Sequence, residues 1–482
     1  MTNLYQDTIV APATTPGTGA ISIIRISGPE AFAITDAVVK LKTGTISEAE
    51  GYTIHYGKVY DKGVISGEVE QSLLDEVLIS VFRAPHSYTG EDSVEVSCHA
   101  SSYIVSELVR LLLEAGCRFA EPGEFTRRAF LNGKMDLAQA EAVADVISST
   151  TSASHRVAMN QLRGGFSAEL SALRSELLDM ASLLELELDF SEEDVEFADR
   201  GKLLALVEAT LAHVTRLADS FHQGNLIKNG VPVAIIGPAN AGKSTLLNAL
   251  LGEDRAIVSD MAGTTRDTIE EVLNLNGILF RFIDTAGIRE SSDKVEQMGM
   301  DRTFKKLSEA EIVLGMLDIS SDGADLPAQL ELLFSKVDLR TQKLFLLLNK
   351  ADKVATIGVN KNVTNINNFV SRKGYQCVII ELSAQTGQGI QMLKDSLLEA
   401  EKDLVPNADS TFVTNIRHYE ALRRAAQALT AVRTSLSSHV PTDLVAEDMR
   451  LALSSINEIL GTDLLDPETI LHTIFSRHCI GK

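Results

Sequence analysis

Apolar residues recur along this chain with two different periods, and the places where the period changes divide it. Between Pro122 and Pro232 there is no proline, and apolar positions step by three and four: Leu170, Leu173, Leu177, Met180 and Leu184, then Leu204, Val207, Leu211, Val214 and Ala218. That spacing lays one apolar stripe along a helix. The same period returns after Pro406, through Leu422, Ala425, Leu429, Val432 and Leu436, then Val445, Met449, Ala452, Ile456 and Ile459, with Gly461 placed to cap the last turn. Residues 1 to about 120 read differently. Strand-like runs at 20–26, 76–82 and 93–96 are mixed with turn signals such as Pro16-Gly17 and Gly28-Pro29, which predicts an α+β domain. Residues 231 to about 400 alternate short apolar runs with helical stretches, the pattern of a mostly parallel sheet.

The helices on either side of that alternating segment are each one-sided and need a partner face. One helical domain built from both segments satisfies them, with the α/β segment inserted between. The reading is an N-terminal α+β domain over 1–120, a discontinuous helical domain over 121–228 and 401–482, and an inserted domain over 229–400. Two separate helical domains remain an alternative at this point. The chain has 482 residues, about three domains by length, and its 45% apolar and 23% charged composition is that of a soluble globular protein.

A net charge of −22 argues against autonomous nucleic-acid binding, so any RNA would be met through a local basic patch or a basic partner. Cys98, Cys117, Cys377 and Cys479 lie far apart with no metal-ligand spacing, which suggests a reduced, cytosolic protein. No secretory signal and no apolar run of about 18 residues is seen, so no membrane is expected.

Gly237-Pro-Ala-Asn-Ala-Gly-Lys-Ser244 follows the apolar run 231–236 and fits the phosphate-binding loop GxxxxGK[ST]. Gly237 and Gly242 let backbone N–H groups of Asn240, Ala241 and Gly242 turn inward, Lys243 reaches the outer phosphates, Ser244 offers a hydroxyl to Mg2+, and Thr245 continues a helix whose positive end faces the anion. The companions specify guanine. Asp284-Thr285-Ala286-Gly287 ends one apolar run, where the aspartate can hold Mg2+ through water and Gly287 can meet the γ-phosphate. Asn349-Lys350-Ala351-Asp352 ends another, and Asp352 can accept from the N1–H and 2-amino edge of guanine, a donor pair adenine lacks. Ser383-Ala384-Gln385 is a plausible base-supporting loop, and Thr264 and Thr265, after Ser259-Asp260-Met261-Ala262-Gly263, fit a switch closing on Mg2+ and γ-phosphate. Five such motifs in this order imply a Ras-like GTPase.

One part is missing. Many GTPases carry a glutamine just after Asp-x-x-Gly to orient the attacking water, and here that position is Ile288, with no evident arginine finger. Asn240 has an amide oxygen suited to a monovalent cation, or it merely tolerates a tight turn; spacing leaves both readings open.

Over its whole length the chain resembles the MnmE (TrmE) family of bacterial tRNA modification GTPases. The resemblance rests on Asp7-Thr-Ile-Val-Ala11, Arg25-Ile-Ser-Gly28, Thr89-Gly-Glu-Asp92, Pro122-Gly-Glu-Phe125, Arg128-Ala-Phe-Leu-Asn132, Asp136-Leu-Ala-Gln-Ala-Glu141, the GTPase motifs and Cys479-Ile-Gly-Lys482. It implies a homodimer formed through the N-terminal domain. It also implies a tetrahydrofolate one-carbon unit (5-formyl or 5,10-methylene) held there, and an FAD-containing partner, MnmG (GidA), in a heterotetramer or larger complex. The implied outcome is an aminomethyl-type group, carboxymethylaminomethyl included, on carbon 5 of the wobble uridine of certain tRNAs. GTP hydrolysis to GDP would be required, be stimulated by K+ and accompany pairing of the GTPase domains.

Residue by residue, the resemblance puts Asn240, Ser259, Met261 and Thr264 on K+, Ser244 and Thr265 on Mg2+, and Glu296 beside the attacking water. A bound K+ would stand in for the arginine finger. Arg25, Glu95, Lys134 and Lys482 match the folate positions, with Glu95 reading the pterin edge as Asp352 reads guanine. Lys482 then has to reach the N-terminal domain. Cys479 would take part in chemistry or simply pack. The family loop often carries arginine before the proline-asparagine pair, and this chain has Pro238-Ala239 there. Two other readings compete: a ribosome-assembly GTPase switch of the same class, which the acidic charge and the Cys479–Lys482 motif oppose, and a scaffold using GTP only as a clamp, which would not hold folate.

Overall fold

The structure is a computed structural model that describes residues 7–65, 68–189, 200–252, 271–283, 307–320, 325–354, 361–404, 411–438, 440–462, 474–475 and 481. The chain divides into two compact units. The first comprises Met1–Ser148, Met159–Ala205 and Gln427–Lys482, and the second Ser149–Ala158 and Leu206–Ala426.

In the first unit, seven strands form one sheet: β1 (Ile9–Pro12), β2 (Ile21–Ser27), β3 (Val39–Leu41), β4 (Thr53–Ile65), β5 (Glu68–Phe82), β6 (Ser93–His99) and β7 (Arg118–Phe119), in the order β3-β4-β5-β6-β2-β1-β7. The strands expected from the sequence are β2, shifted by one residue, and β5 and β6, both longer than expected. Val94 and Val96, Ile24 and Ile26, and Val77, Ile79 and Val81 alternate inward, and helices Ala31–Val38 and Ser102–Glu114 supply core residues on that face. Helix Gly165–Asp189 packs on helix Thr442–Leu460 in the same unit. Their stripes explain why: Leu170, Leu173, Leu177, Met180 and Leu184 are buried, as are Val445, Met449, Ala452, Ile456 and Ile459. Arg174 Nε donates to Asn457 Oδ1 at 2.7 Å across the pair. Helices from before and after the inserted segment thus share one core, as the one-sided stripes required. Gly461 caps the second helix with φ 77°, its N–H donating to Asn457 O at 2.8 Å.

In the second unit six strands form the other sheet: β8 (Val231–Ile236), β9 (Glu271–Leu275), β10 (Ile278–Ile283), β11 (Ile312–Asp318), β12 (Lys343–Asn349) and β13 (Val378–Glu381), ordered β13-β12-β11-β8-β10-β9. Every pairing is parallel except β9 with β10. All six residues of β8 are buried, because both faces are covered: Val233 and Ile235 belong to one core, Ala234 and Ile236 to the other. Over residues 200–218 of helix Arg200–Asn229 the buried positions are Leu203, Val207, Thr210, Val214, Leu217 and Ala218, while Leu204 and Leu211 are only half-buried; Gly224, Leu226 and Ile227 are buried further on. The stripe therefore starts one residue earlier than the sequence pattern suggested.

Candidate functional site

The phosphate loop leaves β8 and enters helix Lys243–Leu251. It needs left-handed backbone at three points: Gly237 (φ 151°), Asn240 (φ 61°) and Gly242 (φ 102°). Space fixes two of them as glycine. A Cβ on Gly237 would lie 2.3 Å from Met316 O, and one on Gly242 2.4 Å from Asn349 Nδ2. Asparagine is among the few other residues that enter this region readily. Asn240, Ser244 and Thr245 are exposed, and Ala241 is buried. Lys243 Nζ donates to Gly237 O (2.8 Å) and Pro238 O (2.9 Å), and burial pushes its pKa down. A bound phosphate would compete for that ammonium.

The guanine-reading loop is tied to the phosphate loop by one side chain. Asn349 is buried at the end of β12; its Nδ2 donates to Ala241 O at 2.7 Å and its Oδ1 accepts from Ala384 N–H at 2.9 Å. Lys350 then turns left-handed (φ 64°) into the short 3-10 helix Ala351–Lys353, which leaves Asp352 exposed. Ala351 N–H donates to Leu382 O at 3.2 Å, and buried Ser383 accepts from Thr386 N–H at 3.2 Å, while Gln385 is exposed. The structure thus brings Asn240 to Thr245, Asn349 to Asp352 and Ser383 to Gln385 to one edge of the sheet, at the ends of parallel strands. Ser259, Asp260, Met261, Ala262, Gly263, Thr264, Thr265, Asp284, Thr285, Ala286, Gly287, Ile288 and Glu296 lie outside the described residues.

The first unit carries the second candidate site. Arg25 on β2 and Glu95 on β6 are register partners. Arg25 donates through Nε (2.9 Å) and Nη2 (2.7 Å) to Glu95 Oε1, and through Nη1 to Gly481 O at 3.4 Å. Its guanidinium lies 5.2 Å from the Tyr88 ring centre and 5.7 Å from that of Phe125. Both Glu95 bonds fall on one oxygen, which keeps Oε2 available to accept from a ligand N–H. Lys134 is exposed and donates from Nζ to Pro85 O at 2.9 Å, so it joins the segment that carries Tyr88 rather than Arg25 directly. Lys482 and Cys479 lie outside the described residues, whereas Gly481 is seated against Pro12 and Ala13.

Sequence reasoning quoted Asp7, Glu91, Glu124 and Arg128 as motif residues without giving them work. They form a charge network with Arg118. Buried Arg128 donates to Asp7 Oδ1 (2.8 Å), Glu124 Oε1 (3.0 Å) and Glu91 Oε1 (3.2 Å), and Arg118 Nη1 donates to Glu124 Oε2 (3.0 Å). The network locks strand β1 to helix Glu124–Leu131. Burial pushes the thiols of Cys98 and Cys117 up to about 11 and about 12, which makes them poor nucleophiles. No helix among the described residues is long and apolar enough to cross a membrane.

Two family models match. The MnmE helical domain covers residues 137–479 and the GTP-binding protein TrmE N-terminus covers 8–134. The tRNA modification GTPase MnmE of Bacteroides thetaiotaomicron is 50% identical over 483 residues, spanning 99% of this chain and 100% of that protein. Its counterpart in Flavobacterium johnsoniae is 46% identical over 486 residues, with 99% and 100% coverage. Among solved structures, Aquifex aeolicus Era bound to GDP and aluminium fluoride is 29% identical and covers 41% of this chain and 66% of its own, with a TM-score of 0.29. A phosphate loop joined to a guanine-reading loop, inside a chain this similar from end to end, makes this GTP hydrolase a member of the MnmE (TrmE) family of tRNA modification GTPases.

Proposed function

We propose that this GTPase is potassium-activated and serves the modification of the wobble uridine of tRNA, holding a tetrahydrofolate one-carbon unit at Arg25 and Glu95. The observation that carries the folate reading is the seat of Gly481 on the N-terminal sheet, within reach of Arg25 Nη1. Arg25 in turn holds Glu95, a half-buried carboxylate suited to a pterin N–H edge. Glu95 would accept from the pterin, Lys134 and Lys482 would meet the anionic glutamate tail, and Tyr88 would supply an apolar wall. The uridine chemistry itself is assigned to an FAD-containing MnmG partner.

At the nucleotide site, Ser244 and Thr265 would hold Mg2+, and Asn240 with Ser259, Met261 and Thr264 would hold K+. Both Asn240 and Ser244 are exposed at the loop, and a hard cation suits their oxygens. K+ would supply positive charge beside the transferring phosphate, the work an arginine finger does elsewhere. Glu296 would orient the water that Ile288 cannot.

The homodimer reading is supported by the outward face of the β4–β5 pair, where Ile54, Tyr56 and Leu78 are exposed together. A reduced, cytoplasmic setting fits this function.

The test is calorimetric binding of 5-formyltetrahydrofolate to the full chain and to a chain lacking Lys482. Binding that weakens sharply on truncation supports a folate site shared by the N-terminal domain and the Gly481 segment. No binding to the full chain removes the folate reading and leaves a GTPase whose one-carbon source lies elsewhere.

A further inference from the structure

Asp318 is the last residue of β11, and its register partner across the sheet is Asn349, the last residue of β12. The two strand ends are also joined by Ile319 N–H donating to Asn349 O at 3.1 Å. Neither the phosphate-loop motif nor the guanine-reading motif includes Asp318. Yet each of its carboxylate oxygens accepts hydrogen bonds. Oδ1 accepts from Ser320 N–H (2.9 Å) and Ser320 Oγ–H (2.6 Å), and Oδ2 accepts from Lys350 Nζ at 2.5 Å. Burial raises the carboxyl's pKa, but the bonds from Lys350 and Ser320 outweigh it and hold the group below the ordinary aspartate value. The charged form of the carboxylate is therefore favoured.

Lys350 occupies the hinge of the guanine-reading loop. Its backbone is left-handed, which lysine rarely adopts unless its surroundings hold it there. Before it, the Asn349 side chain is fixed on Ala241 and Ala384; after it, Ala351 N–H is fixed on Leu382 O. The Lys350 side chain is the third tether, running from the hinge back to the neighbouring strand. A lysine stem is flexible when its ammonium is solvated, and ordering it at the moment of binding would cost affinity. Ser320 fixes the carboxylate, the carboxylate fixes the ammonium, and the hinge is held before guanine arrives.

We propose that Asp318 is a positioning residue for guanine-nucleotide binding, acting through Lys350 to preorganise the loop that presents Asp352. The role lies in affinity, because Asp318 is on the base-reading side of the site and the phosphates are held by the loop 237–244.

The experiment compares Asp318→Asn, Lys350→Met and the double variant by fluorescent-GDP titration and by GTP hydrolysis kinetics, with thermal melts as the fold control. Asp318→Asn should weaken GDP about tenfold, equivalent to about 1.4 kcal/mol, and raise KM in parallel. kcat at saturating GTP should stay within about twofold, as expected when uniform binding is lost. In the Lys350→Met background the aspartate substitution should add nothing further, because the tether is already gone. Asp318→Glu should recover part of the loss. If the melt shows that Asp318→Asn is unfolded, Ser320→Ala serves instead: it loosens the carboxylate without removing its charge and should weaken GDP in the same direction, again only when Lys350 is present. GDP affinity equal to or tighter than wild type in Asp318→Asn, or losses that multiply in the double variant, would overturn the proposal.

Discussion

Gly481 rests on Pro12 so closely that a Cβ added to it would lie 2.1 Å from the Pro12 carbonyl oxygen. It would also come within 3.0 Å of Ala13 Cα, and the residue's φ of +95° is one a side chain disfavours. These neighbours are backbone, so they cannot swing aside. Gly481→Ala should unseat this segment from β1 and break the Arg25 contact to its carbonyl. The expected outcome is at least about tenfold weaker 5-formyltetrahydrofolate binding by calorimetry, with GDP affinity unchanged. Folate binding at wild-type strength would mean the segment's seat plays no part in that site.

Asn349 offers a sharper test of the nucleotide site. Its amide satisfies a buried carbonyl on the phosphate loop and a buried N–H on the base-supporting loop at once. Asn349→Ala orphans both, at a cost of about 1–3 kcal/mol for each buried group. Asn349→Asp can still accept from Ala384 N–H but cannot donate to Ala241 O, and it sets a buried negative charge against that carbonyl oxygen, so it should cost more than Asn349→Ala. The order wild type, Ala, Asp should hold for both melting temperature and GDP affinity. A loss in Asn349→Asp no larger than in Asn349→Ala would show that the bond to Ala241 O does not matter.

The cation assignment turns on Asn240. Its exposed amide is removed by Asn240→Gly without straining the left-handed backbone, and by Asn240→Ala with that strain added. Hydrolysis is compared in equal concentrations of K+ and Na+. Wild type should favour K+, and both variants should lose the preference while still binding GDP, because backbone N–H groups hold the phosphates. A K+ preference that survives in both variants would sink the assignment.

What the sequence showed depended on how local the cause was. The phosphate loop was legible because glycine at Gly237 and Gly242 is forced by contacts with the ends of β11 and β12, and because a wholly apolar run precedes it. The helical stripes were legible for the same reason, being periodic over a single element. The β4 strand was missed: Lys58, Asp61 and Lys62 break its apolar alternation, and its register shifts between Val59 and Tyr60. Asp318 and the Asp7–Arg128 pair were missed because their partners are distant in sequence, the latter by 121 positions. Gly481 alone would read as a frayed tail; only the resemblance gave it a reason to pack, and its seat on Pro12 is a contact that no local pattern encodes.

That buried network should also set the acid limit of the N-terminal fold. Burial raises the pKa of Glu124, but hydrogen bonds from Arg118 and from Glu121 N–H, with Arg128 beside it, outweigh burial and hold it below its ordinary value of 4.5. Asp7 is likewise held down, by Arg118 and Arg128 against burial. A carboxyl whose folded pKa lies below its unfolded one contributes stability that is fully present above the unfolded value and is lost as pH falls through the folded value. Thermal melts of the full chain should therefore change little in this respect between pH 7 and pH 5, then fall steeply below about pH 4.5. Glu124→Gln removes one charge of a buried group and leaves Arg128 undercompensated, which costs about 3–5 kcal/mol at neutral pH. The variant should also show a shallower acid slope, because the titrating group is gone. A parallel slope in the variant would mean that the acid limit is set by carboxylates elsewhere in the chain.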